Sequence, residues 1–271
     1  RENQGYYGYR PLNVSLIYYL RSIYFLFIIT AYLKIRERLL PFCSNPSKKY
    51  MTSFDTIYNA ALDRMGGVDK LNDVLSTPRD SAALKQYPDS YFLSEMTHRI
   101  FQAGLNRKMI DNKWPAFEEV FDQFDIDMNR LKSDEALEHL MQDKRIVRHW
   151  GKIQSVRRNA QAIFEMNEGD GFVNTLADWP TDNIVVFWEL LKKEFKQLGG
   201  ASGPYFLRRV KKDTFLLTDD VVRALMRWGM IDSTPKNKKQ KQHVQSCMNE
   251  WHAESQRPYC QISMILARSI D

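Results

Sequence analysis

Apolar residues recur at three- and four-residue spacing through almost every segment after Met51, and Gly residues punctuate them. Phe92, Met96, Ile100 and Phe101 form one such stripe, with Gly104 as its stop. Phe117, Val120, Phe121 and Phe124 form a second, with Pro115 expected in its first turn. Ser133 should cap a helix carrying Leu137, Leu140 and Met141, and Ile153, Val156, Ala160, Ile163 and Phe164 mark the next, ending near Gly169. Asp182 is expected to cap a long helix to Gln197, stopped by Gly199 and Gly200. Val221, Val222, Leu225 and Met226 run to Gly229, a basic loop follows at 236–241, and two last helices are parted at Pro258. "MTSFDTIYNAALDRMGG" (51–67) reads as a helix with a capping box of Thr52 and Asp55 and a Gly66–Gly67 stop. No alternating pattern competes, so the expected fold is all-α, an array of roughly ten short helices, too many for a simple bundle.

The charge is unevenly placed. The chain has 271 residues and a formal charge of +6, and residues 1–50 alone hold eight Lys/Arg against two Glu, which is the whole excess. The body is neutral, so an anionic partner must be met by local patches. Residues 1–50 lack Met, are rich in Tyr, Ile, Leu, Phe and Ser, and are read as an atypical extension, non-native or disordered, with residues 51–271 as the domain. A membrane anchor is the weaker alternative, because "IYFLFIITAYL" (23–33) falls well short of the ~20 residues needed to span. Cys43, Cys247 and Cys260 follow no disulfide or zinc spacing, and the five His form no ligand pair, so neither metal nor cofactor is expected. A reducing compartment, the cytoplasm, follows as the default.

Two turns could carry chemistry. "RHWGKIQ" (148–154) puts Gly151 and Lys152 at a helix start among Lys144, Arg145, Arg148, Arg157 and Arg158, a ready phosphate site if the backbone N–H groups face solvent. The plain alternative is a helix corner with solvated basic residues. "GGASGPYFLRRVKKDTFLLTDDVVRALMRWG" (199–229) offers a hairpin with Gly200 and Gly203, a helix bearing Arg208, Arg209, Lys211 and Lys212, and the pair Asp219 and Asp220. Those carboxylates either open a helix or stabilise positive charge developing at an anomeric carbon. Residue types alone leave both roles open.

"QAGLNRKMIDNKWPAFEEVFDQFD" (102–125) and "IDMNRLKSDEALEHLMQDKRIVRHWGKIQSVRRNAQAIFEM" (126–166) together resemble the 3-methyladenine DNA glycosylase I family. The matching elements are Gln102 to Leu105, Phe124 and Asp125, Ile146 to His149, Gly151 to Ile153, and Asn159 with Ala160. The resemblance implies a helix-hairpin-helix glycosylase fold and a monofunctional, hydrolytic enzyme of base-excision repair acting on duplex DNA with a damaged base such as 3-methyladenine. It implies phosphate contacts from Gly151, Lys152, Gly200 and Gly203 with Arg157 and Arg158 nearby, and a catalytic carboxylate at Asp220 or Asp219. The pocket would be lined by Arg99, Gln102, Arg107 and Trp114, although Trp114, as a helix-flanking Trp, fits a core role better. Arg99 and Arg107 stand where the family has its base-reading Glu and an aromatic residue, and Asp232 and Ser233 stand where a zinc ligand would be expected. A monomer with no membrane contact of its body is expected. The rival readings are a DNA-binding protein that kept the fold and lost the base pocket, and an interaction protein with no nucleic-acid role.

Overall fold

A computed structural model describes residues 51–270, and the reading of residues 1–50, Cys43 included, lies outside the described residues. Among the described residues there are fourteen α-helices and no strand. The chain opens with α1 (Phe54–Met65), α2 (Val68–Asn72) and α3 (Ser81–Leu84), followed by α4 (Asp89–Gln102) and α5 (Arg107–Val120). Next come α6 (Ile126–Arg130), α7 (Asp134–Leu140), α8 (Trp150–Asn167), α9 (Phe172–Asp178) and α10 (Ile184–Glu194). The last four are α11 (Ser202–Arg209), α12 (Asp219–Arg227), α13 (Lys238–Ser255) and α14 (Tyr259–Arg268).

Helices this short do not stand alone in water, so their ends are tied down one by one. Side-chain caps at Asp80, Asn106, Asp125, Ser133, His149 and Thr218 each accept a backbone N–H of the first turn. Long-range caps add to them. Both Glu254 oxygens accept the Phe54 N–H at 2.9 Å, and Asp213 accepts from Tyr259 and Cys260 at 3.0 and 2.8 Å. Gly66, Gly104 and Gly229 end helices at φ of +77°, +75° and +73°, as their positions in the sequence suggest.

Four boundaries differ from expectation. Ser53, one residue beyond Thr52, caps α1 by accepting from Thr56, while the Thr52 hydroxyl donates to the Trp228 carbonyl. Pro115 lies well inside α5 because Asn106 starts that helix two turns earlier. It is exposed, so the one ladder bond it cannot donate leaves the carbonyl of exposed Asp111 to water rather than to a packed neighbour. Asp182 sits in a short 3-10 turn, Thr181–Asn183, and α10 ends at Glu194, with Phe195 already extended. Lys211 takes φ +64° and ends α11 before either Lys211 or Lys212.

The core is continuous and rich in aromatics. Trp114, Phe117, Phe121 and Phe124 stack with centroids 5.2 to 6.3 Å apart and planes within 20° of parallel. Phe124 reaches this stack only because Asp122, Gln123 and Phe124 all turn left-handed, at φ +51°, +52° and +58°. Buried Asn129 holds that turn by donating to the Phe121 and Asp125 carbonyls at 2.6 and 2.7 Å. Around this centre α4 packs on α5, α8 and α11. Away from it, α12 packs on α14.

Candidate functional site

The α4 helix runs out at Gln102 and leaves its last carbonyls without helical partners. Lys152, from the first turn of α8, fills the gap. Its Nζ donates to the Phe101 and Ala103 carbonyls at 3.4 and 2.7 Å, and the residue is only 7% exposed. Burial lowers its pKa, and Arg99 lowers it further. Lys152 therefore clamps α8 to α4 with its ammonium turned inward, and a phosphate cannot reach it as the turn alone suggests.

Arg99 is half-buried one turn before the end of α4. Its guanidinium lies over the Tyr205 ring at 4.6 Å, and its buried Nε has no hydrogen-bond partner. Burial lowers its pKa, with Arg107 and Arg209 adding to the effect and Tyr205 opposing it. Arg209, four residues after Tyr205 on the same face of α11, is matched by Glu95 at 2.6 to 2.7 Å. Arg107 is exposed at the first position of α5.

Beside this cation cluster, Gln102 and His98 converge on Asp111. Gln102 Nε2 donates to Asp111 Oδ1 at 2.9 Å, and His98 Nε2 stands 3.0 Å from the same oxygen. The His98 ring meets Trp114 edge-on at 4.2 Å, and its Nδ1 is buried without a partner. The network thus assigns the proton to Nε2 and leaves Nδ1 bare. Burial, then the Arg209 charge, pulls the His98 pKa down to about 4 against the upward pull of Asp111. Trp114 belongs to the aromatic stack, the core role the sequence already allowed it. A depression of about 520 Å³ lined by Asn106, Lys108, Met109, Asn112 and Lys113 opens beside this corner, along the first turns of α5.

The basic turn at 144–158 divides into engaged and unengaged charges. Arg145 pairs with Glu119 and Asp143 at 2.7 and 2.8 Å. Arg157 donates to the Lys132 carbonyl at 2.9 Å and to Asp134 at 2.6 Å, so it holds the start of α7. Lys144, Arg148 and Arg158 are exposed. The His149 ring caps α8 by accepting from the Lys152 N–H at 3.3 Å, while the Trp150 and Gly151 N–H groups make no backbone hydrogen bond among the described residues. A Cβ on Gly151 would meet the His149 ring at 3.6 Å, an ordinary contact, so Gly151 is not there for space.

In the 199–203 hairpin the two glycines do different work. Gly200 is exposed at φ +61° and makes the turn, whereas a Cβ on buried Gly203 would stand 3.0 Å from the Leu198 carbonyl. The hairpin is fixed by buried Asn159 of α8, which accepts the Lys196 N–H at 2.7 Å and donates to the Lys196 carbonyl at 3.2 Å. Asp219 and Asp220 are exposed in the first turn of α12, where Asp220 pairs with Arg223 at 2.7 Å. The helix that carries the pair, α12, packs on α14. Among the described residues, no group of His, Cys, Asp and Glu is placed to hold a metal ion, and no helix is long and apolar enough to cross a membrane. Cys247 and Cys260 are buried, with burial pushing their thiols up to about 11 and about 12, so they are unreactive.

Sequence reasoning missed Tyr205, Arg209, Glu95, His98 and Asp111. The signal for the first two was present, since Tyr205 and Arg209 are four apart on one helix.

Residues 83–192 match the family model of methyladenine glycosylase. Over 74 residues the chain is 38% identical to DNA-3-methyladenine glycosylase 1 of Escherichia coli strain K12, which is 27% of this chain and 40% of that protein. The chain thus spans about 40% of the length of the curated relative it matches. Among solved structures, a crystal structure of 3-methyladenine DNA glycosylase I is 23% identical with a TM-score of 0.41, covering 60% of this chain and 92% of that one. The Staphylococcus aureus enzyme, in a structure describing its 3-methyladenine recognition, is 22% identical at a TM-score of 0.41, covering 52% and 83%. The family match contains every element from Gln102 to Met166, so the resemblance to 3-methyladenine DNA glycosylase I stands. The Gly200–Asp220 stretch lies beyond it.

Proposed function

We propose that this chain is a DNA glycosylase of base-excision repair, which extrudes a damaged purine from duplex DNA and hydrolyses its N-glycosidic bond. The observation that carries this reading is the family match over 83–192, because that segment builds the corner of Arg99, Gln102, Arg107, Trp114 and Lys152. The reference substrates are alkylated purines such as 3-methyladenine, the base named for the relatives.

The chain's own groups have distinct tasks in such a reaction. The N–H groups of Trp150 and Gly151 and the side chains of Arg148 and Arg158 receive the backbone phosphates, and Gly200 presents a second turn. Flipping costs a few kcal/mol and is cheapest at damaged or mismatched bases, which is one source of selectivity. A carboxylate near the sugar then stabilises positive charge at the anomeric carbon or orients water, and Asp219 and Asp220 are the candidates for it. The finer reading is a monomer acting in the cytoplasm on duplex DNA.

A second reading, a DNA-binding protein without catalysis, is favoured by one observation: both Asp219 and Asp220 are exposed at a helix start, where Asp220 is engaged by Arg223. Base release from alkylated duplex DNA by the full chain separates the two readings, with Asp219→Asn and Asp220→Asn run beside it. Release that either substitution abolishes supports the enzyme. No release, with salt-dependent duplex binding weakened by Arg158→Ala, supports the binding protein.

A further inference from the structure

The run at 236–241 holds four Lys and no acid in six residues of an otherwise neutral body, and neither the core nor the Arg99 corner uses it. It is not a loose loop. Lys238 opens α13 behind a capping box of Asn237 and Gln240, Pro235 is buried just before it, and His243 is tied to the Met230 carbonyl at 2.9 Å. Lys236, Lys238 and Lys239 are exposed and make no ion pair among the described residues.

Contacts carry this run back to the basic turn of α8. Lys241 stands 3.8 Å from Glu189 of α10, and Lys192 stands 3.9 Å from the other oxygen of the same carboxylate. A Cβ on Gly199 would meet the Lys192 side chain at 3.6 Å, and a Cβ on Gly151 would meet the Gln197 amide at 3.8 Å. Exposed Lys196, beside Gln197, is held through its backbone by Asn159 of α8. Both Glu189 pairs are longer than a hydrogen bond, unlike those of Arg145 and Arg157 at 2.6 to 2.8 Å. One carboxylate shared loosely by two lysines leaves both able to turn to an outside anion.

We infer that Lys192, Lys196, Lys238, Lys239 and Lys241 form a second phosphate-contacting track for duplex DNA, continuous with the turn at the start of α8. This rests on the glycosylase reading above and extends it to the DNA that flanks the damaged base on one side. A duplex carries one charge per ~1.7 Å of its axis, so a row of mobile ammonium groups matches it without reading sequence. Such contacts fix register and orientation and gain by releasing counterions. Lysine suits the task, since a compact charge on a flexible stem follows a phosphate to wherever it lies. An acidic protein segment would need carboxylates spaced to match lysines on two helices and a loop, whereas the regular backbone of a duplex supplies such spacing along its whole length.

The test is the salt dependence of duplex binding by the full chain, with a hydroxyl-radical footprint on alkylated duplex and base release measured separately. Lys238→Gln combined with Lys239→Gln should lower the salt slope by about 2, weaken binding about tenfold near physiological salt, and erase backbone protection on one flank of the lesion. Glu189→Gln, which removes the shared carboxylate, should steepen the slope and tighten binding. Lys70→Gln, a charge lost on α2, should change neither. An unchanged slope and footprint in the double variant, or weaker binding by Glu189→Gln, overturns the inference. Polyglutamate binding that the double variant abolishes while the duplex slope stays put also overturns it, and gives the run to an acidic protein. Base release by the wild-type chain together with an indifferent double variant sinks the track and leaves the glycosylase reading intact. A slope that falls as expected, with no base released from alkylated duplex, does the reverse.

Discussion

Lys152 and Lys212 make the same contact in two places. Each is nearly fully buried, 7% and 6% exposed, and each donates to the penultimate and capping carbonyls of a helix that ends beside it. For Lys152 these are Phe101 and Ala103 at the end of α4, and for Lys212 they are Ala177 and Trp179 at the end of α9, at 2.9 and 2.6 Å. What differs is the second neighbour. Burial lowers the Lys212 pKa to about 8, while Asp213 and Asp178 pull it back up. Burial lowers that of Lys152 too, and there Arg99 pushes the same way. One corner is electrically closed and serves the fold. The other carries a surplus of positive charge that nothing in the described chain answers. A buried lysine is thus no mark of function by itself, since the same contact occurs in a compensated and an uncompensated setting.

The largest expected effect sets the two lysines against each other. Lys212→Met should cost about 3 kcal/mol, since it strands two carbonyls that a charged donor satisfied. Lys152→Met strands two as well but relieves Arg99 of a like charge, so it should cost only about 1 kcal/mol. Urea unfolding of both variants measures the difference, and equal losses would break the comparison. Next comes the pH response. With a native pKa of about 4 against the usual 6.5, His98 is neutral in the fold, and the unfolded chain gains a proton first as pH falls. Its contribution is therefore complete above pH 6.5 and drains away between 6.5 and 4, a slope that His98→Phe should remove.

Lys212 acts in the alkaline range. Its native pKa of about 8 lies below the usual 10.5, so between those values the unfolded chain holds the extra proton and stability rises with pH. Lys212→Met should flatten that rise in thermal midpoints taken across pH 8 to 10.5. A smaller effect separates two adjacent arginines of α8. Arg157→Ala should cost about 1 kcal/mol and leave the salt slope of duplex binding alone, whereas Arg158→Ala should cost nothing and reduce that slope by about 1. The smallest is Asp220→Asn, whose exposed pair with Arg223 should be worth under about 0.5 kcal/mol in urea unfolding.

The all-α class and most helix stops were legible, because periodic apolar residues and glycines at positive φ act through neighbours in sequence. The basic turn at 145–158 was legible as a list of charges but not as an arrangement. Lys152, named as a phosphate contact, and Arg157, named as charge near it, are held by Ala103 and Asp134, which lie 49 and 23 residues away. Gly203 was chosen for a hairpin grip and is small because the Leu198 carbonyl crowds it. Arg99 was named from its place in the chain, yet its partner Tyr205 is on another helix, and no local pattern links them. Pairing over such distances is decided by packing, which a linear reading of residue types does not contain.

The left-handed turn at Asp122–Phe124 has a bearing on how the molecule assembles. Three successive residues with Cβ atoms in that hand cost roughly 1–2 kcal/mol each, so no isolated peptide of this sequence would hold it. The return comes only when Phe124 closes on Trp114 and Asn129 grips the Phe121 carbonyl. The turn therefore exists only together with those tertiary contacts, and the route from α5 into α6 is set by packing rather than by the preference of the local chain.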